Sequence, residues 1–343
     1  MIQAKLTQPG RIEFSDVPVP KPGPTQALLK VKRIGICGSD IHAFHGIHKF
    51  VTFPIVQGHE GAGEIVETGS EVSGFAAGDR VTVRPQASCG RCIHCLGGNF
   101  NLCEEYKVIG VIGGIAGMAS EYFQVEASLL HQLPDGMSFD QGAMVEPAAV
   151  AVHSIRRGGR IQGAKVLVFG AGPIGNLVAQ AAKAFGAQQV MITDINQTRL
   201  DLAQKCQIDY CINTSREDLK KAVCDRFGRD RADIIFDCAA VKATILNSID
   251  LARRGSSILI VGNFNEPVSL ELALVQRREI SLIGVMNYIG ADFDDAIQLI
   301  AAGKIRTTEF VSAYFGLKDY LSAYHYIQAN TNSVMKVMIK VAD

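Results

Sequence analysis

The sequence lacks an excess of charge of either sign, a long basic or acidic block and a long apolar run. Its 343 residues contain 34 Lys and Arg and 34 Asp and Glu, so the formal net charge is zero. Because nucleic-acid affinity comes largely from clustered cations that meet phosphates, we expect no nucleic-acid partner. No 18 apolar residues follow one another, and residues 1–6 do not begin a basic segment followed by an apolar stretch. We therefore expect a cytoplasmic protein without a membrane partner.

The length and composition indicate a globular protein with roughly two domains. Domains contain about 150 residues on average. Hydrophobic residues make up 48% of the chain and charged residues 20%, which is typical of a chain with a packed core. An odd number of cysteines, nine, in a chain without a predicted secretion signal disfavours a disulfide framework.

The pattern of apolar runs changes along the chain. Three short β-rich runs, broken by Gly and Pro, indicate an irregular β domain: Ala27–Ile36, Gly63–Thr68 and Arg80–Val83. After about Glu146, apolar runs alternate with helical stretches, which predicts βαβ units and a doubly wound parallel sheet: Lys165–Phe169, Ile174–Phe185, Gln189–Thr193, Arg199–Lys205, Ala232–Asp237 and Ser257–Val261. We predict an α/β chain with a first domain at 1–148 and 288–343 and a second at 149–287.

A glycine motif follows the first predicted strand of the second domain. The strand Lys165–Phe169 runs directly into Gly170-Ala171-Gly172-Pro173-Ile174-Gly175 and then into a helix. In such a motif the first glycine permits a tight turn, the second lets the backbone approach a pyrophosphate, and the third lets the helix pack closely on the strand. The positive end of the helix favours the anion. The segment therefore predicts a dinucleotide site.

Two residues of the next unit are expected to contact the same dinucleotide. Asp194 stands nineteen residues past Gly175, at the end of the next predicted strand, where a carboxylate can accept the adenosine ribose hydroxyls. It would repel a 2′-phosphate, so NAD is favoured over NADP. Arg199 lies either over the adenine or on a solvated helix face.

Four cysteines within 15 residues predict a structural zinc site: Cys89, Cys92, Cys95 and Cys103. Four thiolates complete a tetrahedron, so no position is left for substrate. A nucleic-acid-binding zinc ribbon is disfavoured because Arg91 and Lys107 are offset by Glu104 and Glu105.

A second, scattered set of donors could hold a catalytic zinc: Cys37, His59, Glu60 and Glu146. Singly, each has an ordinary explanation as a buried thiol, a core histidine or an acid at a helix start. Together, a thiolate, an imidazole and one carboxylate would neutralise Zn²⁺ and leave a fourth position for water or substrate.

With these motifs in this order, the chain resembles the zinc-containing medium-chain alcohol dehydrogenases along almost its whole length. The motifs are Gly35-Ile36-Cys37-Gly38-Ser39-Asp40 with His42, Gly58-His59-Glu60-Gly61, Gly78-Asp79-Arg80-Val81, the four-cysteine segment and the glycine motif. Glu146-Pro147, where simple alcohol dehydrogenases carry a cysteine ligand, is similar to the sorbitol (polyol) dehydrogenase branch. The resemblance implies a GroES-like catalytic domain, a Rossmann domain, two zinc ions per chain, an active site between the domains and NAD-linked oxidation of a secondary alcohol. It also implies a homotetramer or dimer.

The resemblance also assigns roles to single residues. Cys37 and His59 match ligands of the catalytic zinc, Glu60 matches the nearby third ligand, and Glu146 matches an acid that reaches the metal directly or through water. Ser39 and His42 match the hydroxyl and imidazole of a proton relay.

Two departures from the branch leave the substrate open. Residues 113–118 are more apolar than the usual turn, and Asn287 stands near the position where sorbitol dehydrogenases often carry an arginine. A dehydrogenase of a sugar acid or of an L-threonine-like hydroxy amino acid is the alternative enzyme. A non-catalytic zinc- and nucleotide-binding sensor is the alternative outside enzymes.

Overall fold

The computed structural model describes residues 1–229 and 231–342. Its strands, in chain order, are β1 Ile2–Gln8, β2 Arg11–Asp16, β3 Gln26–Gly35, β4 Glu60–Thr68, β5 Arg80–Val83, β6 Gln86–Ala87, β7 Lys107–Val108, β8 Tyr122–Glu126, β9 Leu130–Gln132, β10 Lys165–Phe169, β11 Gln189–Asp194, β12 Tyr210–Asn213, β13 Ala232–Asp237, β14 Ala252–Ile260, β15 Ser281–Gly284, β16 Val311–Gly316 and β17 Lys336–Lys340. Its helices are α1 Gly38–Phe44, α2 Ile93–Leu96, α3 Phe139–Ala143, α4 Val145–Arg157, α5 Pro173–Ala184, α6 Gln197–Lys205, α7 Leu219–Phe227, α8 Lys242–Leu251, α9 Leu272–Arg277, α10 Gly290–Ala301 and α11 Tyr320–Ala329.

The chain divides into two compact units. The first contains residues 1–146, 289–297 and 310–343, and the second contains residues 147–288 and 298–309. This division differs from the predicted one at residues 298–309, which cluster with the second unit, and at the boundary residues 147–148 and 288, which also belong to the second unit.

The first unit is built on a seven-stranded sheet. Its order is β16-β17-β3-β4-β5-β9, and β8 also pairs with β3. Strand β17 pairs antiparallel with β3, so the end of the chain is part of this sheet. Apolar side chains of β3, β4, α1 and α11 pack into one core. The sheet therefore brings residues near position 36 and residues near position 336 together.

The second unit has the predicted doubly wound architecture. All six of its strands are parallel, in the order β12-β11-β10-β13-β14-β15. Four of the five residues of β10 are buried, as expected for a strand covered on both faces by helices. Chain order reverses between β10 and β13, so the glycine motif after β10 lies at a topological switch point, where open α/β sheets bind ligands.

Several elements of the second unit were not predicted from the sequence. They include strand β12 and helices α7 and α8, and β14 begins five residues before the predicted run Ser257–Val261. The exposed residues at its start, Arg253 and Arg254, explain why the apolar pattern misses them.

Candidate functional site

The four-cysteine segment has the geometry of a closed zinc site. The sulfurs of all four cysteines lie within 4.8 Å of one another. The Cys92 and Cys95 sulfurs are 3.5 Å apart, and those of Cys89 and Cys95 are 3.9 Å apart. A tetrahedron with zinc–sulfur bonds of about 2.3 Å places its sulfurs about 3.8 Å apart. The donor set therefore fits zinc.

Backbone amides favour the thiolate form of Cys89 and Cys92, whereas desolvation raises the pKa of Cys95 to about 11. Cys92 N donates to the Cys89 sulfur at 3.4 Å, and Cys89 N donates to the Cys103 sulfur at 3.3 Å. Hydrogen bonds from the backbone of Cys95 and Glu104 lower the pKa of the Cys92 thiol to about 6. Thiolates are the form that binds metal.

The second donor set forms where β3 ends and β4 begins. Cys37 follows β3, His59 precedes β4, and Gly35 is the register partner of Glu60. This antiparallel pairing brings one donor atom each of Cys37, His59 and Glu60 within 4.8 Å of one another. Gly58, at φ +95°, makes the turn into β4 in a conformation that favours glycine. A thiolate, an imidazole and a carboxylate at this distance fit a catalytic zinc.

Asp40 orients the imidazole of this set and was not predicted as a site residue. Its Oδ1 lies 3.5 Å from His59 Nδ1, and its Oδ2 accepts the Cys37 amide at 3.0 Å. Although burial lowers the pKa of His59, the Asp40 carboxylate raises it, and the pKa is well above its usual value. With Nδ1 facing Asp40, Nε2 is the nitrogen available to a metal.

A further layer behind Asp40 comes from the C-terminal helix. Gln57 Nε2 donates to the Asp40 carbonyl at 3.2 Å, and Tyr324 of α11 donates to Gln57 Oε1 at 2.8 Å. The Tyr324 ring stacks on Phe44 with the ring centroids 4.3 Å apart. No sequence motif signals this layer, because Gln57 and Tyr324 are 267 residues apart.

Glu60 meets a buried lysine that was also not predicted. Lys336 of β17 places Nζ 2.5 Å from Glu60 Oε2, and both side chains are nearly inaccessible. Glu146, in the first turn of α4, is buried, but it does not join the 4.8 Å group of Cys37, His59 and Glu60. Ser39 and His42 lie three residues apart on α1, which places them on the same helix face.

The glycine motif has the shape required of a pyrophosphate cradle. Gly170 has φ +91°, and a Cβ at Gly175 would overlap the carbonyl oxygen of Gly170. A Cβ at Gly172 would meet nothing within 4 Å. The packing of the protein therefore does not require a glycine at position 172. This is expected if the missing side chain leaves space for a ligand. Helix α5 begins directly after it, with Pro173 and Ile174 as its first residues.

Asp194 lies beside this motif. Its Oδ2 accepts the Ala171 amide at 2.7 Å, and its Oδ1 accepts the Asn196 amide at 2.9 Å. Each carboxylate oxygen keeps a second lone pair, so the ribose hydroxyls would share this group with the backbone. Arg199 lies in the first turn of α6, and its amide donates to the capping Asn196 side chain at 3.2 Å.

Within residues 1–229 and 231–342, no helix is long and apolar enough to cross a membrane.

Comparison with known proteins identifies the class. Residues 23–135 match the alcohol dehydrogenase GroES-like domain, and residues 173–302 match the zinc-binding dehydrogenase family. The chain is 35% identical to sorbitol dehydrogenase of Halalkalibacterium halodurans, with 97% of each chain covered. It is 34% identical to 2-dehydro-3-deoxy-L-galactonate 5-dehydrogenase of Pseudoalteromonas atlantica, covering 92% of this chain and 91% of the relative. A zinc-binding dehydrogenase from Sinorhizobium meliloti, solved with NADP, superimposes with a TM-score of 0.90 at 30% identity over 99% of both chains.

These matches define a zinc-dependent, NAD(P)-linked dehydrogenase. The chain belongs to the zinc-containing medium-chain alcohol dehydrogenase family, in its sorbitol dehydrogenase branch. The predicted family, the β-rich GroES-like and Rossmann domains and the need for zinc and a nicotinamide cofactor are confirmed.

Proposed function

We propose that this enzyme oxidises a secondary hydroxyl of a polyol or sugar, with NAD as the preferred hydride acceptor. The proposal depends on one set of donors, the thiol of half-buried Cys37, the imidazole of buried His59 and the carboxylate of buried Glu60. Cys37, His59 and Glu60 would hold a zinc ion that, when bound, would polarise the substrate oxygen, and a bound nicotinamide would accept the hydride. The side chains around the site would transfer the proton and bind the substrate.

The proton of the oxidised hydroxyl needs a route to water. We assign its first transfer to Ser39, which is half-buried, and its release to His42, which is exposed one helical turn further along α1. The substrate carbon loses a hydride with its electron pair, its oxygen loses the proton, and a carbonyl forms. Ser39 and His42 thus act as a relay that ends with the proton in solvent.

The acids of the site favour a substrate with several hydroxyls. Glu146 is a buried carboxylate at the start of α4, and carboxylate oxygens accept hydrogen bonds from substrate hydroxyls. We assign Glu146 to a neighbouring substrate hydroxyl or to a water beside the metal. A site built to bond a hydroxyl can discriminate about 10⁴-fold against a substrate without it. The sorbitol dehydrogenase relative supports the same substrate class.

Steady-state kinetics on matched substrates test the proposal. We expect kcat/KM for sorbitol, xylitol and vicinal diols to exceed that for ethanol and propan-2-ol by a large factor. Glu146→Gln should reduce turnover of polyols more than turnover of mono-alcohols. Higher kcat/KM on mono-alcohols, or unchanged turnover of every substrate by the variant, would refute the polyol assignment.

The same screen separates the alternatives. The galactonate-derivative dehydrogenase among the relatives favours sugar acids as the second candidate, so sugar acids and L-threonine belong in the substrate panel. No turnover with any class, with zinc and nucleotide bound, would indicate a sensor. We also propose that the enzyme works in the cytoplasm as a homotetramer or dimer, which fractionation and light scattering would test.

A further inference from the structure

Lys336 forms a buried ion pair with one of the predicted metal donors. Its Nζ lies 2.5 Å from Glu60 Oε2 and 3.3 Å from the carbonyl oxygen of Ile36. The relative exposure of the two side chains is 4% and 1%. A buried ammonium is costly unless it is paired and hydrogen-bonded, so the lysine and the glutamate depend on each other.

The sheet explains how the two side chains meet across a strand. Lys336 lies on β17 and Glu60 on β4, and β3 runs between them. Gly35, the residue of β3 opposite Glu60, is also the register partner of Met338 on β17. A Cβ at Gly35 would overlap Glu60 Oε2. The absence of a side chain at this one position therefore leaves space for the carboxylate oxygen that the lysine contacts.

The ion pair already occupies one side of the Glu60 carboxylate. Because Oε2 accepts a hydrogen bond from the ammonium, a metal could bind Oε1 without disturbing the pair, whereas binding through both oxygens would compete with Lys336. An ammonium bound to the same carboxylate also repels a divalent cation and reduces the negative charge that the carboxylate offers to it. A carboxylate that is paired with an ammonium in this way is a weak metal ligand and binds the metal through one oxygen.

We propose that Lys336 is a positioning residue that holds Glu60 as a single-oxygen metal donor and thereby weakens the hold of the Cys37–His59–Glu60 site on its metal. This inference rests on the metal assignment made in the proposed function. It gives the lysine a role opposite to that of a structural ion pair. Loss of a structural ion pair would loosen the site, whereas loss of a competing cation should tighten metal binding.

Metal affinity is the direct readout. The probe is Zn²⁺ alone, titrated at pH 8 against a competing chelator into purified protein, with the four-cysteine site as the internal reference. We expect Lys336→Met to raise the affinity of the second site about tenfold or more, because a nearby positive charge is removed. Lys336→Arg keeps the positive charge beside Glu60 and should stay within about threefold of the unmodified protein. The affinity of the four-cysteine site should not change in either variant.

Cobalt supplies a second readout that does not depend on activity. In protein with Co²⁺ at the second site, the visible bands should shift in Lys336→Met and not in Lys336→Arg, because only the former frees Oε2 for the metal. If Lys336→Met does not fold, Lys336→Gln carries the same test. Unchanged or weaker metal affinity in the neutral variant would overturn this inference alone. One zinc per chain in the unmodified, active protein would overturn it together with the proposed function.

Discussion

The carboxylate of Asp40 lies 3.5 Å from Nδ1 of His59, and it also accepts the amide of Cys37 at 3.0 Å. One side chain from the first turn of α1 therefore contacts two of the three donor residues, the imidazole of His59 and the backbone of Cys37. Asp40 is itself held by Gln57. Carboxylates that orient a ligand histidine contribute substantially to metal affinity in other zinc sites.

Asp40→Asn should lower zinc affinity at the Cys37–His59–Glu60 site, or kcat/KM, by about 10–100-fold. An amide can place either oxygen or nitrogen toward His59 and so fixes the imidazole less well. Asp79→Asn is the matched control, since Asp79 accepts an amide in an exposed turn. Equal losses in the two variants would contradict the assignment of Asp40.

The two metal sites should differ in how easily they lose zinc. Four thiolates close one site, while the other has one thiolate, one imidazole and carboxylate oxygen. Mild chelation should therefore abolish activity at about one zinc per chain, before the protein unfolds. Metal analysis with circular dichroism checks this order, and simultaneous loss of both zinc ions and the fold would contradict it.

Reloading the emptied site should become more favourable as pH rises. Burial lowers the pKa of His59, but Asp40 and, to a lesser degree, Cys37 raise it well above its usual value. Metal must then displace a proton from His59, and this competition weakens as pH increases through that pKa. Zinc titrations between pH 6 and pH 9 measure the slope, and Asp40→Asn should shift the rise to lower pH.

Alanine substitutions at Gly172 and Gly175, the two later glycines of the dinucleotide motif, should have different effects. Gly175→Ala places a methyl group against the Gly170 carbonyl and should destabilise the second unit by about 1–3 kcal/mol. Gly172→Ala meets nothing within the protein, so it should leave the unfolding temperature unchanged and weaken NAD binding about tenfold through the space the pyrophosphate needs. Unfolding scans and cofactor titrations separate these effects. Equal unfolding temperatures for the two variants would be evidence against this division.

Asp194 should set the preference for NAD. Its carboxylate repels a 2′-phosphate. The same carboxylate accepts hydrogen bonds from the amides of Ala171 and Asn196. We expect Asp194→Ala to reduce the ratio of kcat/KM for NAD to kcat/KM for NADP about tenfold or more. The kcat/KM for NAD should also fall, because the amides of Ala171 and Asn196 lose their hydrogen-bond acceptor. Asp201→Ala, on the exposed face of α6, serves as the control. Equal use of both cofactors by the unmodified enzyme would refute the role of Asp194.

Motifs with short spacing could be interpreted from the sequence alone. The four cysteines lie within 15 residues, and the glycine motif lies within six, so chain connectivity itself keeps their atoms close. Residue type also narrows the chemistry, since thiolates bind zinc and only glycine leaves room for a pyrophosphate. The β10, α5 and β11 elements follow from the same local pattern.

The environment of the second donor set depended on the tertiary structure. Lys336 meets Glu60 across 276 residues, and Tyr324 meets Gln57 across 267. Such contacts arise only because β17 pairs with β3 and α11 packs against the same sheet, and these long-range pairings leave no periodic signal in the chain. A lysine on a short apolar strand has the same local pattern whether it faces solvent or a buried carboxylate. Lys336 faces a buried carboxylate because of the strand order and because Gly35 has no side chain that would fill the space between them.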